Sequence, residues 1–458
     1  MRLFNVLTLQ IDSGFPDVDT NDTEHKLWYG PDNGGLRPKY SILSHVWAKE
    51  EVTVQTFDQH KHQLAEHTNS NGQYGSMRRW GEQDAPTIMP SIHKITGVCK
   101  QVRAASAGQN APINHVWIDT VCINKDDVNE TQLAINSMFR WYAEAELCYV
   151  YLADVSWNQA DSMQQFRASR WFLRGWTLQE LLASREVQFY DRDWQYMGSK
   201  NDLVGTISEA ANIDPQHLLG GFRTASLGQK MSWLARRETK HIEDRAYCML
   251  GIFGVFLEPR YGQGGREFTR LQAEIVRTWD ENRPFDETLF AWKSDSVVSS
   301  GLFAPAPMCF QHCSDLIYIP EYARRRNMRR EIGGTTSEGI ALHASHQITI
   351  QVPYSHGLPE WVYLLTCGIT AWCTMVPKNA IENHAQSRDM QLNCWRRTEN
   401  GLFQAAKIKM WKRPNGTWQR VHCGNVLWSN SLKLYPPWIV ASVSAVLLQV
   451  PNQVEFRR

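Results

Sequence analysis

Short apolar runs alternate with helically periodic stretches through the first 191 residues. "YSILSHVW" (Tyr40 to Trp47), "INHVWIDTVCI" (Ile113 to Ile123), "LCYVYLADV" (Leu147 to Val155) and "EVQFYD" (Glu186 to Asp191) have the length and composition of buried strands. The N-terminal "MRLFNVLTLQIDSGF" alternates and reads as a further strand. Between the strands, Ile92, Ile95, Cys99 and Val102 fall on one helical face, as do Ile135, Met138, Phe139 and Tyr142. Asp127, with Glu130 three residues on, marks the N-cap of the second of these helices. "SRWFLRGWTLQELLAS" reads as a third helix, with Leu178, Leu181 and Leu182 inward and Phe172, Trp176 and Glu180 on an adjoining row. The polar stretch from Asp58 to Pro86 lacks sustained periodicity and reads mostly as an insertion.

Strands alternating with helices predict right-handed crossovers and a parallel sheet with helices on both faces. Ligands of such folds bind at the carboxyl ends of the strands. The polar residues expected there are Ser44, His45 and Trp47 after the first strand, Asp119, Thr120 and Cys122 within the second, and Asp154 after the third. Glu180 follows on the next helix. One turn from an indole, its carboxyl would be partly dehydrated, which raises proton affinity and is one way to prepare a catalytic acid. An exposed glutamate chosen for helix propensity is the plainer alternative.

Residues 196–292 are predominantly helical in pattern, and 293–458 carry short alternating segments such as "QITIQV", "WVYLLTC" and "GLFQAAKIKMWKR" that predict a mainly β module. A chain of 458 residues exceeds what one core usually holds, so a division at 1–195, 196–292 and 293–458 is expected. The loop "YGQGGRE" matches no phosphate-loop spacing and reads as a turn before a helix. Net charge is +1, which speaks against a nucleic-acid partner. The run Trp438 to Val450 is too short to span a membrane and is read as buried sheet. The N-terminus lacks a signal-peptide pattern, and ten cysteines without a CxxC pair read as reduced thiols of a cytoplasmic protein. "CFQHC" (Cys309 to Cys313) has no second ligand pair, so no metal is expected.

"YSILSHVW", "HVWIDTVCINK", "AINSMFRWYAEAELCYVYLADV" and "SRWFLRGWTLQELLA", in this order, resemble the fungal heterokaryon-incompatibility (HET) domain. "MSWLARRETKHIEDRAYCMLGIFGV" and "YGQGGREFTRLQAEI" resemble its common continuation. Ala48 stands where that family usually carries glycine. The resemblance implies self/non-self recognition after hyphal fusion, ending in programmed cell death, with an unidentified incompatibility partner. HET domains are in turn similar to TIR domains, which implies a flavodoxin-like sheet. Many TIR domains hydrolyse NAD through a glutamate in a helix motif that "WTLQEL" (Trp176 to Leu181) resembles. This implies Glu180 as catalytic residue, Ser44, His45, Trp47, Asp119 and Trp176 as substrate-binding residues, and NAD as substrate rather than cofactor. Two other readings stay open. One is a noncatalytic module acting by homotypic assembly; the other is thiol hydrolysis by Cys122 with His45 and Asp119.

Overall fold

The computed structural model describes residues 1–13, 15, 38–69, 88–109, 111–279, 285–295, 299–300, 302–318, 331–336, 339–343, 387–397, 403–412, 418–421 and 426–428. These residues form two compact units, one of 1–225 with 236–274, the other of 226–235 with 275 onward.

The first unit is built on strands β1 (Leu3–Asn5), β2 (Gln10–Asp12), β3 (Tyr40–His45), β4 (His115–Trp117), β5 (Cys148–Tyr151), β6 (Val187–Tyr190) and β7 (Tyr196–Ser199), in the spatial order β2-β1-β4-β3-β5-β6-β7. The pairs β4–β3, β3–β5 and β5–β6 are parallel, and the edge pairs are antiparallel. The fold is therefore mixed α/β with a mainly parallel central sheet. Its parallel strands follow the order second, first, third, fourth, so the crossover after β3 runs to one side and that after β5 to the other, which puts the topological switch point between the carboxyl ends of β3 and β5. The N-terminal strand expectation resolves into the β1–β2 hairpin, whereas β7 is a strand that the pattern does not predict.

Helices α1 (Phe57–Asn69), α2 (Met89–Ser106), α3 (Asp119–Cys122), α4 (Val128–Glu144), α5 (Ser162–Ala168) and α6 (Thr177–Ala183) pack around the sheet. In α2 the four predicted apolar positions are all buried. Asp127 caps α4, its side chain accepting from the N–H groups of Asn129 and Glu130. On α4, Ile135, Phe139 and Tyr142 are buried, while Met138 is half-buried. The stretch from Asp58, read as insertion, is in its first part helix α1, anchored by buried Phe57 and Leu64; residues 70–87 lie outside the described set.

Two expectations are corrected. The second strand ends at Trp117, and Asp119 to Cys122 form a helical turn in which Cys122 N–H donates to the Ile118 carbonyl at 2.8 Å. Val121 and Cys122 are buried all the same, so this short apolar run has the look of a continuing strand. Nor is 169–184 one helix. A 3-10 turn (Arg170–Leu173) is followed by an extended break, and α6 begins only at Thr177. Gly175 marks the break: its N–H donates to the Glu238 carbonyl at 2.8 Å, and a Cβ there would fall 2.5 Å from Thr239 Cγ2. Gly175→Ala is accordingly expected to cost about 1–3 kcal/mol of stability. Urea denaturation checks this, and a variant as stable as the parent would show that Thr239 yields freely.

The second unit includes the helix Leu227–Leu234, opened by a capping box between Ser226 and Gln229. Its longest strands, Ser387–Arg397 and Phe403–Lys412, pair antiparallel, and Trp418–Val421 and Leu427–Trp428 pair with the latter. The predicted strand in "GLFQAAKIKMWKR" is thus present. "QITIQV", "WVYLLTC" and the Trp438–Val450 run lie outside the described residues. Among the described residues no helix is long and apolar enough to cross a membrane.

Candidate active site at the carboxyl end of the sheet

Strand β3 is buried along its whole length and ends in adjacent polar residues that point to opposite faces of the sheet. On one face, Ser44 Oγ donates to the Glu180 carboxyl group of α6, and Trp171 Nε1 donates to Ser44 Oγ at 2.8 Å. Tyr142 Oη donates to the Leu43 carbonyl at 3.1 Å and also hydrogen-bonds Glu180. The phenol has one proton for the Leu43 carbonyl and Glu180, and where it serves the carboxylate it favours ionisation. Burial nevertheless pushes the Glu180 carboxyl up to about 8, opposed by the Ser44 and Tyr142 hydrogen bonds and assisted by the Asp119 charge. At neutral pH Glu180 is therefore largely a neutral acid, and it is only 7% exposed.

On the other face, His45 Nε2 lies 3.6 Å from Asp119 Oδ1. Burial and the Lys94 charge push His45 down to about 4, so the imidazole is neutral at pH 7 and this contact is not an ion pair. Asp119 accepts the Trp47 indole N–H at 2.7 Å and stands 3.6 Å from Lys125 Nζ. Burial opposes its ionisation, but Lys125, His45 and the indole outweigh burial and hold its carboxyl below the usual range. Behind this cluster, the Lys94 ammonium of α2 pairs with Glu51 and reaches the Val46 carbonyl at 3.3 Å. Glu51 also accepts from the Ala48 N–H and from Ser91 Oγ, which ties down the loop carrying Trp47. Ala48 does not have a positive φ, so its methyl group imposes no left-handed strain.

The predicted residues thus fall into separate groups. Ser44 and Glu180 are in contact, and His45, Trp47 and Asp119 form a cluster around one carboxylate. Trp176 turns elsewhere: it precedes α6, and its indole hydrogen-bonds Asp244, which also accepts from Tyr261 Oη at 2.9 Å. The indole beside Ser44 is that of Trp171, a consequence of the break at Gly175. Trp171, Tyr142, Lys125, Glu51 and Lys94 were not legible as site residues. Asp154 accepts from Ser169 Oγ and the Arg170 N–H and so holds the turn leading into Trp171.

The thiol reading loses its basis. Burial pushes Cys122 up to about 12, and its sulfur accepts the Ile118 N–H instead of facing a base. The glycine loop is occupied from within: the Gly262 and Gly264 N–H groups, both on residues with positive φ, donate to Glu243 Oε1 at 2.8 Å.

Residues 40–168 match the heterokaryon incompatibility protein (HET) family. The chain carries a HET domain. Over 249 residues it is 35% identical to vegetative incompatibility protein HET-E-1 of Podospora anserina, an alignment covering 53% of this chain and 16% of that protein. This chain therefore spans only a small part of the relative's length. No solved structure matches. Glu180 lies beyond the matched stretch of the HET domain, on the element that packs its carboxyl against β3.

Proposed function

We propose that this HET-domain chain acts in heterokaryon incompatibility as an effector of cell death, and that it does so by cleaving NAD in a TIR-like reaction at Glu180. The observation that carries the reading is the contact between Glu180 and Ser44 at the strand end where the crossovers diverge. In the reaction the C1′–N bond of the nicotinamide ribose breaks, its electron pair leaves with nicotinamide, and water adds to the ribosyl cation with loss of a proton. Glu180 stabilises the oxocarbenium-like charge as its carboxylate. A cationic nicotinamide ribose beside it favours ionisation, so substrate draws the proton from an acid that is neutral in the free protein. The resemblance of "WTLQEL" to the TIR glutamate motif supports the same residue.

One observation favours a second reading. Glu180 is already satisfied by Ser44 and Tyr142 and is nearly inaccessible, which suits a structural acid in a noncatalytic module that signals by homotypic assembly. The test is release of nicotinamide from NAD by the purified chain, with parallel NAD measurement in yeast expressing it. Release that depends on Glu180 supports the enzyme; cell death with NAD intact supports assembly.

A further inference from the structure

A cationic aromatic surface flanks the candidate site and takes no part in the chemistry above. Trp47 is 38% exposed. Lys125 Nζ sits 3.5 Å from the centroid of its ring and Lys240 Nζ 5.9 Å, so the ammonium groups cannot be farther apart than those distances together. Lys94 and Glu51 cancel each other behind the surface. In front, Lys125 and Lys240 stand against the Asp119 carboxylate, an excess of one positive charge among these three groups. His45 adds a second observation: its Nε2 is buried beside Asp119 and has no hydrogen-bond partner. Such an orphaned nitrogen has lost its water without gaining a substitute, a cost that a ligand atom would remove.

We propose that Lys125 and Lys240, both over the Trp47 ring, bind the diphosphate of a dinucleotide, with His45 Nε2 hydrogen-bonding a ligand oxygen. The proposal rests on the NAD reading for the class of ligand only. Two ammonium groups around one ring suit two linked phosphates better than one, and lysine serves such groups as a point charge. Asp119, whose carboxylate keeps acceptor capacity beyond the indole and Lys125, can accept a ribose hydroxyl but repels phosphate, so it sets where along the ligand the charge must lie.

ADP is the probe, because it carries the diphosphate and lacks the scissile bond. Titrated calorimetrically into the full chain, ADP is expected to bind, to be displaced by NAD, and to weaken about tenfold in Lys240→Ala and about a hundredfold in Lys125→Ala/Lys240→Ala. Adenosine should bind far more weakly than ADP, and raised salt should weaken ADP. Lys240 is exposed, so Lys240→Ala decides the matter alone if Lys125→Ala proves unstable. Failure of the parent chain to bind ADP at millimolar concentration, equal binding by the lysine variants, or ADP that NAD does not displace would each overturn the proposal. Lysine-dependent ADP binding that NAD displaces, in a chain that releases no nicotinamide, would sink the enzyme reading and leave the diphosphate site standing.

Discussion

Glu180→Gln is expected to lower NAD cleavage by at least about a hundredfold, the scale on which a group stabilising transition-state charge acts, while making the folded chain less sensitive to alkali. The folded carboxyl keeps its proton up to about 8, whereas an ordinary glutamate releases it near 4.5. Between those values the folded state binds a proton that the unfolded state has lost, so stability from this group is full below pH 4.5 and falls as pH rises through 8. The loss is on the order of 4 kcal/mol by the upper end of that window. Glutamine does not titrate. Its carbonyl can accept from Ser44 as the carboxyl group does, and its amide can donate to the Tyr142 oxygen while the phenol serves Leu43. Urea denaturation at pH 5, 7 and 9 should therefore show the variant gaining on the parent as pH rises. A constant difference would mean that Glu180 is not held as a neutral acid. In the parent, kcat/KM for NAD should rise with pH toward 8, because the working form is the carboxylate. Cleavage by Glu180→Gln at the parent's rate would remove Glu180 from the chemistry, whatever its effect on stability.

Lys94→Met is expected to destabilise the chain by about 3–5 kcal/mol, the cost of leaving one member of a buried ion pair without its partner. The Lys94 side chain is 2% exposed and that of Glu51 8%, so water cannot replace the lost cation. Combining Lys94→Met with Glu51→Gln should recover most of the loss. The buried charge is then gone, and the amide oxygen can still accept from the Ala48 N–H or Ser91 Oγ, which Glu51 serves now. A single variant that loses less than about 1 kcal/mol would show that Glu51 reaches solvent or takes up a proton at little cost. Because Glu51 holds the loop that presents Trp47, the single variant should also weaken ADP binding more than the double.

The parallel strands and helices α2 and α4 were legible from contiguous residues. The apolar spacing of α2, the Asp127 cap of α4 and the apolar runs of β3, β5 and β6 each carry their signal within a few positions, because period and capping are local properties of the chain. The order of those elements was enough to bring Ser44, Asp119 and Glu180 to one end of a parallel sheet. Which side chains meet there was a different matter. The helical pattern breaks at Gly175, where the backbone pairs with Glu238, distant in sequence, and Thr239 leaves no room for a Cβ; Trp171 rather than Trp176 then stands beside Ser44. Asp119 sits in a helical turn, although its apolar neighbours are equally buried in either conformation. Glu180 becomes a neutral acid because residues from β3, α4 and the turn before α6 together exclude water around it. The periodic elements and their alternation depend on neighbours along the chain and can be read there. Contact, dehydration and proton affinity cannot, since each depends on atoms that folding brings together from segments as far apart as Ser44 and Glu180.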